Sequence, residues 1–157
     1  MDLKNLLVTA MPKTTCNAVA HYVLDQPESY VSLLDLVEHG SAVQSMKASW
    51  VIAYIRLLSP KFSEQQQYRI LNLLRKTAIG GVRRELLRSL EGIELDELIM
   101  EELLEIAFNW ITDMDQDVAV RYLCNRVMLA CSKRIPELKQ ELQLIRQLQL
   151  EKNGKFP

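Results

Sequence analysis

The sequence is poor in the residues that make tight turns, aromatic pockets and membrane spans. Aromatic residues are 6% of the chain, and only five Gly and five Pro punctuate its 157 residues. An all-β protein with many tight turns needs more of both. No run approaches the ~20 apolar residues that a membrane span requires. Met1-Asp2-Leu3-Lys4 lacks the basic stretch and apolar core of a signal peptide. Cysteine is also scarce, with Cys16, Cys124 and Cys131 making an odd count. Cys124 and Cys131 lie seven apart on one predicted helix, roughly 10 Å along its axis, too far for a disulfide. A reducing compartment is expected, and the chain is read as cytoplasmic with no membrane association.

No excess of either charge is present: the formal net charge is −1, so no global field favours a polyanion or an acidic membrane surface. The local layout is uneven. Residues 1–60 carry 4 basic and 5 acidic side chains, and residues 61–92 carry 7 and 3. Residues 93–117 carry none and 9, and residues 118–157 carry 8 and 3. An acidic element therefore sits between two basic ones, the pattern of solvated faces that attract each other across neighbouring elements.

What the chain does have is apolar content, 48%, most of it leucine, enough to bury the core of one domain spanning residues 1–157. Helix signals recur along it. Thr14 and Thr15 suit the cap of a helix ending near Asp25, and Pro27 suits the first turn of the next, Glu28 to His39, ended by Gly40. A longer helix, about Ala42 to Ser59, stops at Pro60, and its stretch Trp50-Val51-Ile52-Ala53-Tyr54-Ile55 is apolar on every side. Such a helix is sandwiched between neighbours. Ser63 and Gln66 form a capping-box pattern opening a helix to about Lys76. Gly80-Gly81 reads as a turn before a short helix from Val82 to Glu91, closed at Gly92. Asp96 caps an acidic helix through Ile111, and the turn 113–117 leads into a helix from Val118 to about Lys133. Pro136 opens the last helix, with Leu138, Leu142, Ile145 and Gln149 along one side and Leu144 and Leu148 widening the stripe. The tail, Lys152 to Pro157, is expected to fray.

Shifting the sequence by 37 residues aligns Val37, Leu74 and Ile111; Leu36, Leu73 and Trp110; Leu34, Leu71 and Phe108; and Leu33, Ile70 and Ala107. Trp50, Leu87 and Cys124 follow in the same register, then Ala53, Leu90 and Val127, together with a basic series Lys47, Arg84, Arg121. Recurring apolar positions at the end of one helix and along the next are the mark of stacked helix pairs.

With those residues in hand, the chain resembles the HEAT and armadillo-like repeat families. The closest piece is Asp115-Gln116-Asp117-Val118-Ala119-Val120-Arg121, similar to the aspartate-rich turn and Val-Arg pair that open the second helix of a repeat. Gly81-Val82-Arg83-Arg84 is a weaker copy, and Met46-Lys47 weaker still. The resemblance implies an all-α, right-handed α-α superhelix of about three helix pairs, residues 28–59, 63–92 and 96–133, with caps at 14–25 and 136–152. It also implies a ladder of aspartate–arginine bonds between repeats. Only the third repeat keeps the aspartates, so a continuous ladder is not expected.

No pattern of residues suggests catalysis, a cofactor or a metal. His21 and Cys16 give a Cys-x4-His spacing with no second pair, and His39 sits where an imidazolium favours a helix C-terminus. Glu97, Glu101 and Glu105 lie four apart on one helix face, but a di-metal site of that kind needs a Glu-x-x-His partner, and there is none. Thr9-Ala10-Met11-Pro12-Lys13-Thr14-Thr15-Cys16-Asn17 is faintly similar to a loop of the adenylosuccinate lyase and fumarase superfamily, but lacks its leading serines. A lyase activity resting on that segment is the weakest alternative.

The best functional reading is a non-catalytic interaction module holding a protein or peptide partner on its concave face, the face that second helices line in this fold. The candidate contact residues are Arg84, Arg88, Tyr122, Asn125 and Arg126, on second-helix positions away from the core register. The alternative is nucleic-acid binding on the same face, as in the HEAT-like DNA alkylation repair proteins. Near-neutral charge, few aromatics and a nearby acidic helix weigh against it. Self-association through an exposed end of the solenoid is a further expectation.

Overall fold

The computed structural model describes residues 1–7 and 12–153, with the side chain of Asn153 outside the description. Among them, all regular structure is helical: α1 (Leu3–Leu6), α2 (Lys13–Asp25), α3 (Tyr30–His39), α4 (Ala42–Leu58), α5 (Pro60–Lys76), α6 (Gly80–Leu90), α7 (Glu97–Thr112), α8 (Val118–Cys131) and α9 (Leu138–Asn153). A 3-10 turn, Pro27–Ser29, precedes α3. The helices pair as α3 with α4, α5 with α6 and α7 with α8. The second helices α4, α6 and α8 pack on one another much more extensively than α3, α5 and α7 do, which makes their layer the inner side of a curved stack.

That layer is organised around α4, which contacts α2, α3, α5 and α6. Val51, Ile52 and Ile55 are fully buried, and Trp50 and Tyr54 pack against the core while partly exposed. At about 1.5–3 kcal/mol for each fully buried large aliphatic side chain, this burial outweighs the surface ion pairs, each worth about 0–1 kcal/mol. The 37-residue register is visible as burial. Val37, Leu74 and Ile111 are all buried, as are Leu33, Ile70 and Ala107, and Ala53, Leu90 and Val127. Phe108 departs from its register mates, with 43% of its surface exposed on α7.

Several local expectations are corrected. Thr14 and Thr15 do not cap a helix: α2 starts at Lys13 with Pro12 as its N-cap, and no side chain caps it. Pro60 does not merely stop α4; it opens α5 at the first position, where its missing N–H leaves no bond unmade. Ser63 consequently lies inside α5 and is buried, and the capping box is Ser41 with Gln44, at the head of α4. Gly40 is not left-handed (φ −73°, ψ 173°); it is tight because a Cβ there would strike the Leu36 carbonyl. The left-handed glycine is Gly92, φ +74°, after α6. Gly80 and Gly81 form the first turn of α6, not the preceding loop. A Cβ on Gly80 would meet the Asp117 carboxylate, and one on Gly81 the Met46 thioether, so the pair lets neighbouring repeats approach. The last helix begins at Leu138 and remains helical through Lys152, while residues 154–157 lie outside the described residues.

On α9, Leu138, Leu142, Ile145 and Gln149 are buried as expected, whereas Leu144 and Leu148 are exposed. The polar member of that stripe has a specific task. Arg121 is 5% exposed and donates from Nη2 to the Gln149 side-chain oxygen at 3.0 Å. The Gln149 amide donates in turn to the Ile111 carbonyl at 2.6 Å. Arg121 Nε has no hydrogen-bond partner among the described residues, so the Nη2 bond to Gln149 helps to offset the burial of this cation. Replacing Gln149 by Ala is expected to lower the unfolding free energy by about 1–3 kcal/mol, and Gln147→Ala, on the exposed side, to change it by less than about 0.5. Urea titration of both variants checks this, and equal stability would show that α9 is not seated on Arg121.

Candidate partner-binding face

The outer helices balance their charges against one another. Lys76 of α5 bonds Glu38 of α3 at 2.7 Å, Arg75 of α5 pairs with Glu102 of α7, and Lys61 lies 3.8 Å from Glu94. The Lys76 hydrogen bond holds the Glu38 carboxyl below its usual range. The basic residues of α5 thus pair across repeats with acids on either side of them in the sequence. Glu97, Glu101 and Glu105 are exposed beyond them and form no ion pair among the described residues. Among the described residues no group of three or more His, Cys, Asp or Glu is placed to hold a metal.

The inner layer is different in sign. Glu85 of α6 is 4% exposed and accepts from Arg84 Nε at 3.2 Å and Arg88 Nη1 at 3.0 Å. Glu91, just past the end of α6, joins three repeats. Its backbone carbonyl accepts from Arg56 of α4, from Nε at 2.9 Å and Nη2 at 2.5 Å. Its carboxylate accepts from Arg126 Nε of α8 at 2.8 Å and lies 3.8 Å from Arg56 Nη2. The Glu91 bond and charge raise the Arg126 pKa further, so that group stays cationic. Arg126 also lies over the Tyr122 ring, 5.8 Å from its centroid.

Between these groups runs a groove of about 270 Å³, lined by Trp50, Tyr54 and Leu57 of α4, by Glu85 and Arg88 of α6, and by Arg126. It is slightly smaller than the roughly 300–1,000 Å³ of small-molecule sites and suits a single bulky side chain. Of the contact residues expected from sequence, Arg88 and Arg126 meet at this groove, Arg84 adjoins it through Glu85, and Tyr122 supports Arg126. Asn125 is half-buried on α8 and does not line it. Sequence reasoning missed Arg56, Glu85, Glu91, Tyr54 and Leu57. One signal was available: Arg56, Glu91 and Arg126 are spaced 35 residues apart, close to the 37-residue core step.

The Lys47–Arg84–Arg121 series does not form one ladder. Arg84 bonds Glu85 and Arg121 bonds Gln149. Arg83, not Arg84, makes the link to the next repeat's turn. It donates to the Thr77 carbonyl at 3.0 Å, lies 3.4 Å from the Gln116 side-chain oxygen and covers the Trp110 ring at 4.5 Å.

The thiols offer no reactive centre. Cys16, Cys124 and Cys131 are free and buried. Burial pushes Cys16 up to about 11, with the Glu85 charge adding to it, and Cys124 up to about 12. Cys131 is raised by burial as well. In Pro12–Asn17, the described part of the lyase-like segment, Pro12 caps α2 and the other residues lie within it, while Thr9, Ala10 and Met11 lie outside the described residues.

These features define an α-solenoid of stacked helix pairs with a basic, grooved inner face. The family model described as HEAT repeat domain matches residues 3–153, and the chain belongs to that family. No curated protein and no solved structure matches it. HEAT repeats are generally protein-interaction scaffolds and typically non-catalytic.

Glu91→Ala removes the carboxylate that ties Arg126 to α6 and is expected to cost about 1 kcal/mol. The loss should be smaller when Glu91→Ala is made in an Arg126→Ala background, where only the Arg56 contact remains, and additive losses in that cycle would contradict the link. The raised thiols bear on alkaline stability. A thiol that ionises at its ordinary value of 9.0 when unfolded, but only near 11 or 12 when folded, stabilises fully below 9. That contribution is lost as pH rises through 9 towards the folded values. The thermal midpoint should therefore fall above pH 9, and fall less steeply in Cys124→Ala; identical slopes would contradict it.

Proposed function

We propose that the protein is a non-catalytic scaffold that holds a protein or peptide partner on the face formed by α4, α6 and α8. The observation carrying this reading is the groove among Trp50, Tyr54, Leu57, Arg88 and Arg126, where an exposed apolar residue and half-exposed cations sit on a rigid inner layer. Leu57 is 63% exposed there, although α4 is otherwise covered on most sides. Partner binding would cover it. Arg84, Arg88, Tyr122 and Arg126 supply orientation, with Asn125 at the margin. Three free, buried thiols support a reducing compartment such as the cytoplasm as the place of action.

The test is comparative capture from the source organism with three baits: wild type, Leu57→Glu, and Leu98→Glu on the outer face of α7. Leu57 and Leu98 are both well exposed, so both variants should keep the wild-type thermal midpoint. The reading predicts polypeptides retained by wild type and Leu98→Glu and lost with Leu57→Glu. Retention by Leu57→Glu with loss in Leu98→Glu would place the docking surface on the outer layer and reject it.

A further inference from the structure

The charge and bonding of the inner layer narrow the chemistry of its partner. α4, α6 and α8 carry one acid within their helical ranges, Glu85, and although Arg121 is buried on Gln149 and Arg83 lies over Trp110, Arg56, Arg84, Arg88 and Arg126 gather beside it and Glu91. The outer helix α7 has four glutamates and no base. An anionic segment is thus drawn to the inner face and repelled from α7.

At the groove the arginines are held by buried acids without being used up. Arg88 contacts Glu85 through Nη1, Arg126 contacts Glu91 through Nε, and Arg84 contacts Glu85 through Nε. A guanidinium has five N–H donors in a rigid fork, so each of these heads keeps N–H groups for another acceptor. Their side chains remain 50%, 48% and 36% exposed, whereas those of Glu85 and Glu91 are 5% and 14% exposed. The carboxylates fix the rotamers of the arginines, so that ordering them on binding costs less. Arg56, Arg84, Arg88 and Arg126 against Glu85 and Glu91 leave a surplus of two positive charges, four less two. That surplus matches one or two carboxylates and not a run of phosphates, whose binding grows with the number neutralised.

We infer that the occupant of this groove is an acidic peptide segment bearing one bulky apolar side chain. The apolar side chain lies beside Trp50, Tyr54 and Leu57, and flanking carboxylates accept from the open N–H edges of Arg88 and Arg126. This inference rests on the proposed docking face and specifies what that face selects.

The test is selection of short random peptides displayed on phage against the immobilised full-length chain, followed by fluorescence anisotropy with the enriched peptides. The expected peptides place Asp or Glu next to Leu, Phe or Trp. They lose about ten-fold or more in affinity with Arg88→Gln and again with Leu57→Asp. They also weaken as salt is raised. Arg126→Lys provides a second readout, because it keeps the charge and removes the fork; affinity should fall while the thermal midpoint holds. Enriched peptides without acidic residues that still depend on Leu57 would overturn the acidic inference and leave the docking face standing. Peptides indifferent to Arg88, Arg126 and Leu57, or no enrichment over an unrelated protein, would overturn both. Displacement of the bound peptide by a single-stranded oligonucleotide at comparable concentration would replace the acidic peptide with nucleic acid.

Discussion

The structure depends on the packing of the second helices around α4. A helix that buries the consecutive residues Val51, Ile52 and Ala53, about 100° apart around its axis, has no stable position until neighbours cover it from several directions. α2 and α6 cover it along the inner layer, and α3 and α5 from the outer one. The stack is therefore a consequence of this burial, with the ion pairs and caps adjusting a geometry already set by it.

Once that layer exists, the charges sort by depth. On the outer side Lys76, Arg75 and Lys61 are exposed and find Glu38 and Glu102 on adjacent helices and Glu94 just before α7, pairs that water and salt weaken. On the inner side Glu85 and Glu91 are largely covered, and each holds an arginine whose far edge stays in solvent. The same residue types thus have different consequences in the two layers. The outer pairs neutralise each other, while the inner ones fix an array of directed donors around a groove that also holds Trp50, Tyr54 and Leu57.

Much of the architecture was legible because it rests on apolar periodicity. The 37-residue step marks positions that are buried in successive repeats, and the all-round apolar stretch of α4 correctly implied a sandwiched helix. Helix starts were harder to read, because the same residue has two meanings. Pro60 ends one helix and opens the next, and Ser63, three residues on, looks like a cap although it is a buried position inside α5. Gly80 and Gly81 look like a turn; their small size instead admits Asp117 and Met46 from adjacent repeats, a contact that local sequence cannot show. The site was half legible for a related reason. Arg88 and Arg126 stood out as second-helix residues off the core register. Glu85 and Glu91 resembled any solvated acids, and only packing shows that they are covered and that Glu91 spans three helices.

The account stands on the claim that the α4–α6–α8 face meets another polypeptide. The most direct measurement places a photo-crosslinking residue at position 57 in one form of the protein and at position 98 in another, and irradiates cells expressing each. Positions 57 and 98 are both exposed apolar sites on opposite layers. The account predicts a discrete adduct with another polypeptide from position 57 and none from position 98. A discrete adduct from position 98 alone would contradict it.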